Sequence, residues 1–178
     1  PIGSSGMATV YVAMQRSLER QVAVKVFDTV DIEAIARFEQ LLRTSARLSN
    51  PHIVGAHQIG RTADGRTFHS MPFLLSAELS RHNLRSKPLK VAALLREILD
   101  ALGYAHGRGI VHGGVKPANV LFDERGHARL ADFGIARCAA ELGHPHPVAA
   151  GYLSPEQARG NPPGQRSDLY SVGVLAYE

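Results

Sequence analysis

The sequence predicts an α+β fold in which a strand-rich first part precedes a mostly helical second part. Residues 7–13 and 21–27 alternate and are rich in β-branched or apolar side chains, around a turn near Ser17, which is typical of antiparallel strands. Apolar residues of 89–106 recur at the spacing of one helix face. These patterns predict a small antiparallel sheet up to about residue 70 and helices after it.

One helix and two further strands are predicted between these regions. From Asp31 onward the apolar residues follow a helical period that ends at Asn50-Pro51. Strands are predicted at 53–59 and 67–75, with Asp64-Gly65 as the turn between them.

Composition is that of an ordinary soluble domain. The 178 residues are 44% hydrophobic and 20% charged, which suits one domain with a real core. No apolar run approaches the roughly 18 residues of a membrane span, and the sequence does not start at Pro1 with a charged and then apolar leader. A cytoplasmic location is therefore expected. The arginines behind the net charge of +4 are scattered, which favours a solvated surface over nucleic-acid binding. The single Cys138 cannot form an internal disulfide, which suits a reducing compartment. His144 and His146 alternate with prolines, and we interpret this segment as a solvated loop rather than a metal site.

The run HGGVKPANVLFDERGHARLADFGIA, from His112 to Ala136, carries the densest set of chemical motifs. Asn119 lies five residues after Gly114 and thirteen before Asp132. This order and spacing resemble the catalytic core of a protein kinase, which reads HRDLKPAN and then DFG. Glycines stand here where that family has the Arg and the Asp of HRD.

The chain resembles bacterial serine/threonine protein kinases of the eukaryotic type almost from end to end. IGSSGMATVYVA at 2–13 resembles the glycine-rich loop, and VAVKV at 22–26 resembles the strand of the phosphate-binding lysine. YLSPEQARG and SDLYSVGVLAYE resemble the region after the activation loop. Five motifs in the family's order make this resemblance specific.

The resemblance implies a two-lobed protein-kinase-like fold, formed by a small antiparallel-sheet lobe and a mostly helical lobe. The expected parts are an N-lobe at 1–70, a hinge at 71–74 and a partial C-lobe at 75–178. The family's larger lobe continues beyond the position of Glu178, so the resemblance also implies a C-terminally truncated domain.

An ATP site is implied by the same resemblance. The glycine-rich loop keeps Gly3, while Ser5 and Ala8 hold the places of the other two glycines, so a plain hairpin is the alternative for this segment. Lys25 would hold the α and β phosphates, and a strand lysine lying along apolar surface is its alternative. The residues expected to contact the nucleotide are Ile2, Gly3, Val10, Ala23, Lys25, Met71, Leu74 and Leu121.

Asn119 and Asp132 are the expected magnesium ligands. Mg²⁺ prefers oxygen donors, keeps several waters and takes only one or two protein ligands. A turn residue before Gly134 is the alternative for Asp132. Lys116 would lie near the γ-phosphate, while His112 and Phe133 are expected to be stacked core residues and not catalysts.

Four linked features of catalysis and activation are missing. Gly114 replaces the Asp that would accept the proton of the substrate hydroxyl, and Gly113 replaces the Arg that pairs an activation-loop phosphate. No Ser or Thr lies between Gly134 and Ser154, and Ala149 takes the place of a Thr that would contact the catalytic Asp.

The carboxylate that would pair with Lys25 is also missing. Counting from Phe38 and Leu48, Leu41 holds its position, and Glu39 lies two residues away, roughly 200° around the helix.

The sequence therefore predicts a catalytically impaired pseudokinase that binds ATP and Mg²⁺ weakly and serves as a regulatory or interaction domain. Two alternatives stay open. One is an active transferase with an atypical site, which moves the γ-phosphate of ATP to protein Ser or Thr. The other is a truncated remnant without a ligand. The sequence names no protein partner or substrate.

Overall fold

The computed structural model describes residues 1–5, 8–28, 32–74, 79, 84, 87–136 and 150–178. The chain divides into two compact units, of which the first comprises Pro1–Leu48 and Gly55–Phe73, and the second Ser49–Val54 and Leu74–Glu178. The predicted boundaries of the lobes and the hinge stay predictions.

The first unit contains a five-stranded antiparallel sheet with the strand order β1-β2-β3-β5-β4. Its elements are β1 Gly3–Ser5, β2 Ala8–Gln15, β3 Arg20–Phe27, helix α1 Ile32–Ser45, β4 Gln58–Arg61 and β5 Thr67–Pro72. The two strands predicted around Ser17 are confirmed. So is the turn at Asp64-Gly65, where Gly65 has a φ of +87° that favours glycine.

Helix α1 is shorter than the sequence pattern predicts. Ile35 and Leu42 are buried, as the helical period requires. Beyond Ser45 the backbone tightens, because the N–H of Leu48 bonds to the carbonyl of Ser45, three residues back, at 3.0 Å. Leu48 is still buried, so the apolar pattern continues past the end of the helix.

The strand predicted at 53–59 is wrong for residues 53–57. Ile53 forms a parallel bridge with Leu130 instead, and Val54 donates to the Leu130 carbonyl at 3.0 Å. This segment belongs to the second unit, and β4 begins only at Gln58. The next strand ends at Pro72 rather than at residue 75, in keeping with the missing N–H of proline.

The second unit combines helices with a two-stranded sheet. Its elements are α2 Pro88–His106, a 3₁₀ turn at Pro117–Asn119, β6 Val120–Phe122, β7 Ala128–Leu130, a 3₁₀ turn at Ala150–Tyr152, α3 Pro155–Ala158 and α4 Gln165–Tyr177. Helix α2 confirms the prediction for 89–106 and buries Leu94, Ile98 and Leu102. Within the described residues, none of the helices is long and apolar enough to cross a membrane.

Candidate functional site

Four of the predicted nucleotide contacts lie on one face of the first unit's sheet. In the antiparallel register Val10 is opposite Lys25, and Ala23 is opposite Met71. Opposite residues, and residues two apart in a strand, point to the same face. Ala23 and Met71 are buried, so this face offers an apolar surface with one ammonium group.

Lys25 is 7% exposed. Its Nζ lies 6.0 Å from the centroid of the Phe27 ring, at the outer limit of a cation–π contact. Glu39, two residues from the predicted pairing position, has a partner on β4: its Oε1 accepts from Nε of Arg61 at 2.9 Å. Leu41, at the position itself, is half-buried.

The described part of the glycine-rich segment forms the paired antiparallel strands β1 and β2. Gly3 pairs with Val10, and Ile2, which is more than half exposed, donates to the Val10 carbonyl at 2.8 Å. Residues 6 and 7 lie outside the described residues. Leu74, the last residue of the predicted hinge, is half-buried.

Asp168 of α4 binds the backbone of the segment that carries the two glycines. Its Oδ1 accepts from the N–H of Gly113 at 2.7 Å, and its Oδ2 accepts from the N–H of His112 at 2.9 Å. His106 Nε2 is also 2.7 Å from Oδ2. Asp168 is 1% exposed, and a carboxylate buried this deeply needs such partners. Sequence reasoning missed this residue, although an Asp amid the apolar residues of SDLYSVGVL was a usable signal.

The peptide unit between the two glycines is bonded at both ends. Gln157 Nε2 of α3 donates to the carbonyl of Gly113 at 2.9 Å. The N–H of Gly114 donates to Nδ1 of His112 at 3.1 Å, and the carbonyl of Gly114 accepts from Nδ2 of Asn119 at 2.8 Å. The Gly113 N–H donates to Asp168, so all four backbone polar groups of Gly113 and Gly114 have hydrogen-bond partners. Sequence reasoning missed Gln157 as well, and no local signal in the sequence marks it.

His112 lies at the centre of this arrangement and is completely buried. Its Nε2 donates to the carbonyl of Ala131 at 2.8 Å, while its Nδ1 accepts from Gly114. Burial lowers the pKa of His112 below the usual value, against the opposing effect of Asp168. The ring centroid lies 4.7 Å from that of Phe133 at an interplanar angle of 55°. The two side chains are therefore in contact in the core, as predicted, but they are tilted rather than stacked.

The two predicted magnesium ligands lie on neighbouring segments. Asn119 accepts a backbone hydrogen bond from Ala131 at 2.9 Å, directly before Asp132. The Asn119 amide nitrogen is committed to Gly114, which leaves Oδ1, a hard donor of the type that Mg²⁺ prefers, as its other polar atom. Asp132 has a φ of +66°, a left-handed conformation that is uncommon outside glycine and concentrates at functional sites. The described residues contain no group of three or more His, Cys, Asp or Glu side chains placed to hold a metal.

Lys116 and Leu121, two further predicted nucleotide contacts, flank Asn119 in the sequence of the second unit. Lys116 has an extended backbone just before the 3₁₀ turn that ends at Asn119, and Leu121 pairs with Arg129 in the small sheet. Their roles toward a nucleotide stay predictions.

Most of the segment that lacks Ser and Thr lies outside the described residues, including Cys138, His144, His146 and Ala149. At its described end the hydroxyl of Tyr152 donates to Glu178. Burial, and then the hydrogen bond to Glu178, raise the pKa of Tyr152 to about 12. Glu156 accepts a hydrogen bond from the hydroxyl of Ser167.

Comparison with known proteins agrees with this architecture. The serine/threonine-protein kinase PknL of Mycobacterium tuberculosis is 40% identical, over 99% of this chain and 47% of PknL. Pkn3 of Myxococcus xanthus is 34% identical over 99% of this chain and 36% of its own length, and PrkC of Bacillus subtilis is 34% identical over 99% and 29%. The chain therefore spans less than half the length of these relatives.

A solved structure, that of the PknI kinase domain of Mycobacterium tuberculosis, superposes with a TM-score of 0.75 at 29% identity, covering 98% of this chain and 69% of that one. This likeness confirms the predicted α+β, kinase-like fold. The protein kinase domain family matches residues 1–178. On the fold, the motif order and these matches, the chain belongs to the protein kinase domain family and resembles its bacterial serine/threonine members.

Proposed function

We propose that this chain is a pseudokinase, which binds Mg-ATP weakly and transfers phosphate slowly or not at all. It acts in this proposal as a regulatory or interaction domain. The observation that carries the proposal is the hydrogen bonding of Gly113 and Gly114, called the glycine loop below. Every backbone polar group of these two residues has a partner, yet neither residue has a side chain that could accept a proton. The backbone of the glycine loop is therefore held in place, while the general base of the family is absent from it.

Nucleotide binding is supported separately by each unit. In the first, Val10, Ala23 and Met71 form an apolar surface of the kind that adenine requires, with Lys25 on the same sheet face. In the second, the oriented amide of Asn119 and the carboxylate of Asp132 fit a cation that takes one or two protein oxygens. When bound, Mg²⁺ would neutralise charge on the phosphates. Weak binding is expected because Leu41 stands where the family has a Glu.

Slow catalysis follows from the missing acceptor. A general base typically contributes about 10² to 10⁴ in rate, which corresponds to roughly 3 to 5.5 kcal/mol. Asp123, the next acidic residue along the chain, does not supply a substitute. Its Oδ1 accepts from the N–H groups of Arg125 and His127, and its Oδ2 from Arg129.

Active phosphotransfer at an atypical site is the second candidate. It is favoured by the fully bonded loop, because phosphoryl transfer depends mostly on positioning and charge neutralisation, and by the kinase names of the relatives. A remnant without a ligand is the third candidate. It is less compatible with a loop whose four polar groups are all paired.

Calorimetry with three ligands tests the proposal: Mg-ATP, ATP with a chelator, and adenosine. We expect weak binding of Mg-ATP, and we expect Asp132→Asn to reduce the magnesium-dependent part while adenosine binding persists. Asp28→Asn, an exposed Asp of the first unit, is the matched control and should change neither. A folded protein that shows no response to millimolar Mg-ATP would overturn the binding claim. Robust transfer of radiolabelled phosphate, abolished by Lys25→Ala, would establish the active kinase instead.

A further inference from the structure

We propose that Gln157 is a positioning residue for the metal ligand Asn119, which it reaches through the backbone of Gly113 and Gly114. This inference rests on the proposed binding of Mg-ATP and names a residue that controls it. The observation behind it is a continuous path of hydrogen bonds from α3 to the Asn119 amide.

The orientation of the Gln157 amide is determined by its partners. Its Oε1 accepts from the N–H of Ser154 at 3.2 Å and from the Ser154 hydroxyl at 3.0 Å. A backbone N–H can only donate, so the amide oxygen must face Ser154 and the nitrogen must face Gly113. The side chain is 5% exposed, so water cannot readily replace either contact.

The peptide unit that Gln157 holds joins two glycines, so its orientation depends on its two hydrogen bonds, the one from Gln157 and the one from the Gly114 N–H to His112 Nδ1. Two adjacent glycines allow far more backbone conformations than the Arg and Asp of the family motif, and Gly113 already has a φ of +73°. Asp168 holds the N–H on one side of Gly113. The carbonyl on the other side is held by Gln157, which thereby fixes the plane of the following peptide.

Rotation of that peptide would move the group that orients the metal ligand. The carbonyl of Gly114, in the next peptide unit, accepts from Asn119 Nδ2. If this carbonyl turned away, the Asn119 amide would lose the contact that directs its oxygen. Residues that orient a metal ligand typically contribute about 10- to 100-fold in metal affinity. Through Gln157, the Ser154–Ala158 segment is therefore coupled to the magnesium site.

Gln157→Glu is the sharpest test, since a carboxylate keeps an acceptor for Ser154 and loses the donor to Gly113. Gln157→Met is a second variant in case the first does not fold. Gln165→Leu is the matched control, because Gln165 also donates to a backbone carbonyl, that of His106, from an exposed position.

Two readouts separate this inference from the proposed function. In the nucleotide-free protein, amide hydrogen exchange of Gly114 should be faster by at least about tenfold in the Gln157 variants, on the scale of one buried hydrogen bond, and unchanged in Gln165→Leu. Calorimetry should show at least about tenfold weaker magnesium-dependent ATP binding, with adenosine binding retained.

Unchanged exchange in folded Gln157 variants would overturn the inference. Faster exchange with unaltered Mg-ATP binding would overturn the link to Asn119. If the wild-type protein binds no Mg-ATP, the proposed function fails and the link to a metal site fails with it, while hydrogen exchange still decides whether Gln157 holds the loop.

Discussion

The side-chain amide of Asn119 donates a hydrogen bond to the carbonyl oxygen of Gly114 at 2.8 Å. The acceptor is a backbone atom, so it does not depend on which side chain occupies position 114. A Gly in place of the family's Asp there provides no proton acceptor, but it keeps the carbonyl that orients Asn119, the predicted metal ligand. We therefore expect nucleotide binding and phosphate transfer to be separable.

The double substitution Gly114→Asp with Leu41→Glu should raise phosphate transfer to a generic basic protein by at least about a hundredfold, the lower end of the usual contribution of a general base. The first places an Asp at the family's proton-acceptor position, and the second places a carboxylate at the position of the family's Glu. Gly114 is not among the glycines with positive φ, so a residue with a Cβ there meets no strain from a left-handed backbone.

Transfer of radiolabelled phosphate to the basic protein measures the effect. Neither single variant should reach the activity of the double variant. The same pair with Lys25→Ala is the control and should be inactive. A double variant that binds Mg-ATP but transfers no more phosphate than the wild type would show that other parts are also missing.

Gly113→Ala should destabilise the protein more than Gly109→Ala. Both glycines have left-handed φ values, +73° and +72°, which cost a residue with a Cβ roughly 1–2 kcal/mol. A Cβ at Gly109 meets open space, whereas one at Gly113 would lie 2.8 Å from Cγ of Pro163. Overpacking of this kind adds about 1–3 kcal/mol.

Urea unfolding of the two variants measures the difference. Adding Pro163→Gly to Gly113→Ala should remove most of the excess over Gly109→Ala, because it removes the clashing ring. Equal costs for the two alanine variants would contradict the steric argument.

Phosphorylation on Ser or Thr should not switch this domain through its activation segment. Residues 135–153 contain no Ser or Thr, and Tyr152 is their only hydroxyl. Gly113 stands where the family has the Arg that pairs with a phosphate on this segment. A phosphate on the segment would therefore find no charged side chain at position 113. Mass spectrometry after incubation with an active bacterial relative tests this. Stoichiometric phosphate within the segment would refute the prediction, and Tyr152→Phe would show whether Tyr152 carries it.

Stability should fall as the pH falls below about 6.5, because of His112. Burial holds its folded-state pKa below the usual value, so the unfolded chain takes up a proton first and the contribution of His112 is lost progressively down to the folded pKa. Denaturant unfolding between pH 7.5 and pH 5 measures the slope. His112→Gln should lower stability throughout and flatten this slope. An identical slope in the variant would exclude His112 as its source.

Local pattern and motif spacing were enough to predict the elements that carry the chemistry. The alternation of β2 and β3 and the periodicity of α2 appear in the structure because neighbouring residues alone specify them. The spacing of Asn119, Asp132 and the two glycines is enough to indicate the family without the fold. The replacement of the family's Asp by Gly114 is also visible in the sequence, since it depends on the identity of one residue.

Only the tertiary structure decided which partners the backbone would find. The sequence pattern predicts a strand that includes residues 53–57, yet Ile53 and Val54 pair with Leu130 instead. No local sequence pattern specifies Leu130 as their partner. Asp168 and Gln157 reach Gly113 from 55 and 44 residues away. Hydrogen-bond partners this distant meet only when the helices have packed, so the sequence determined what the loop has lost and the fold determined what holds it in place.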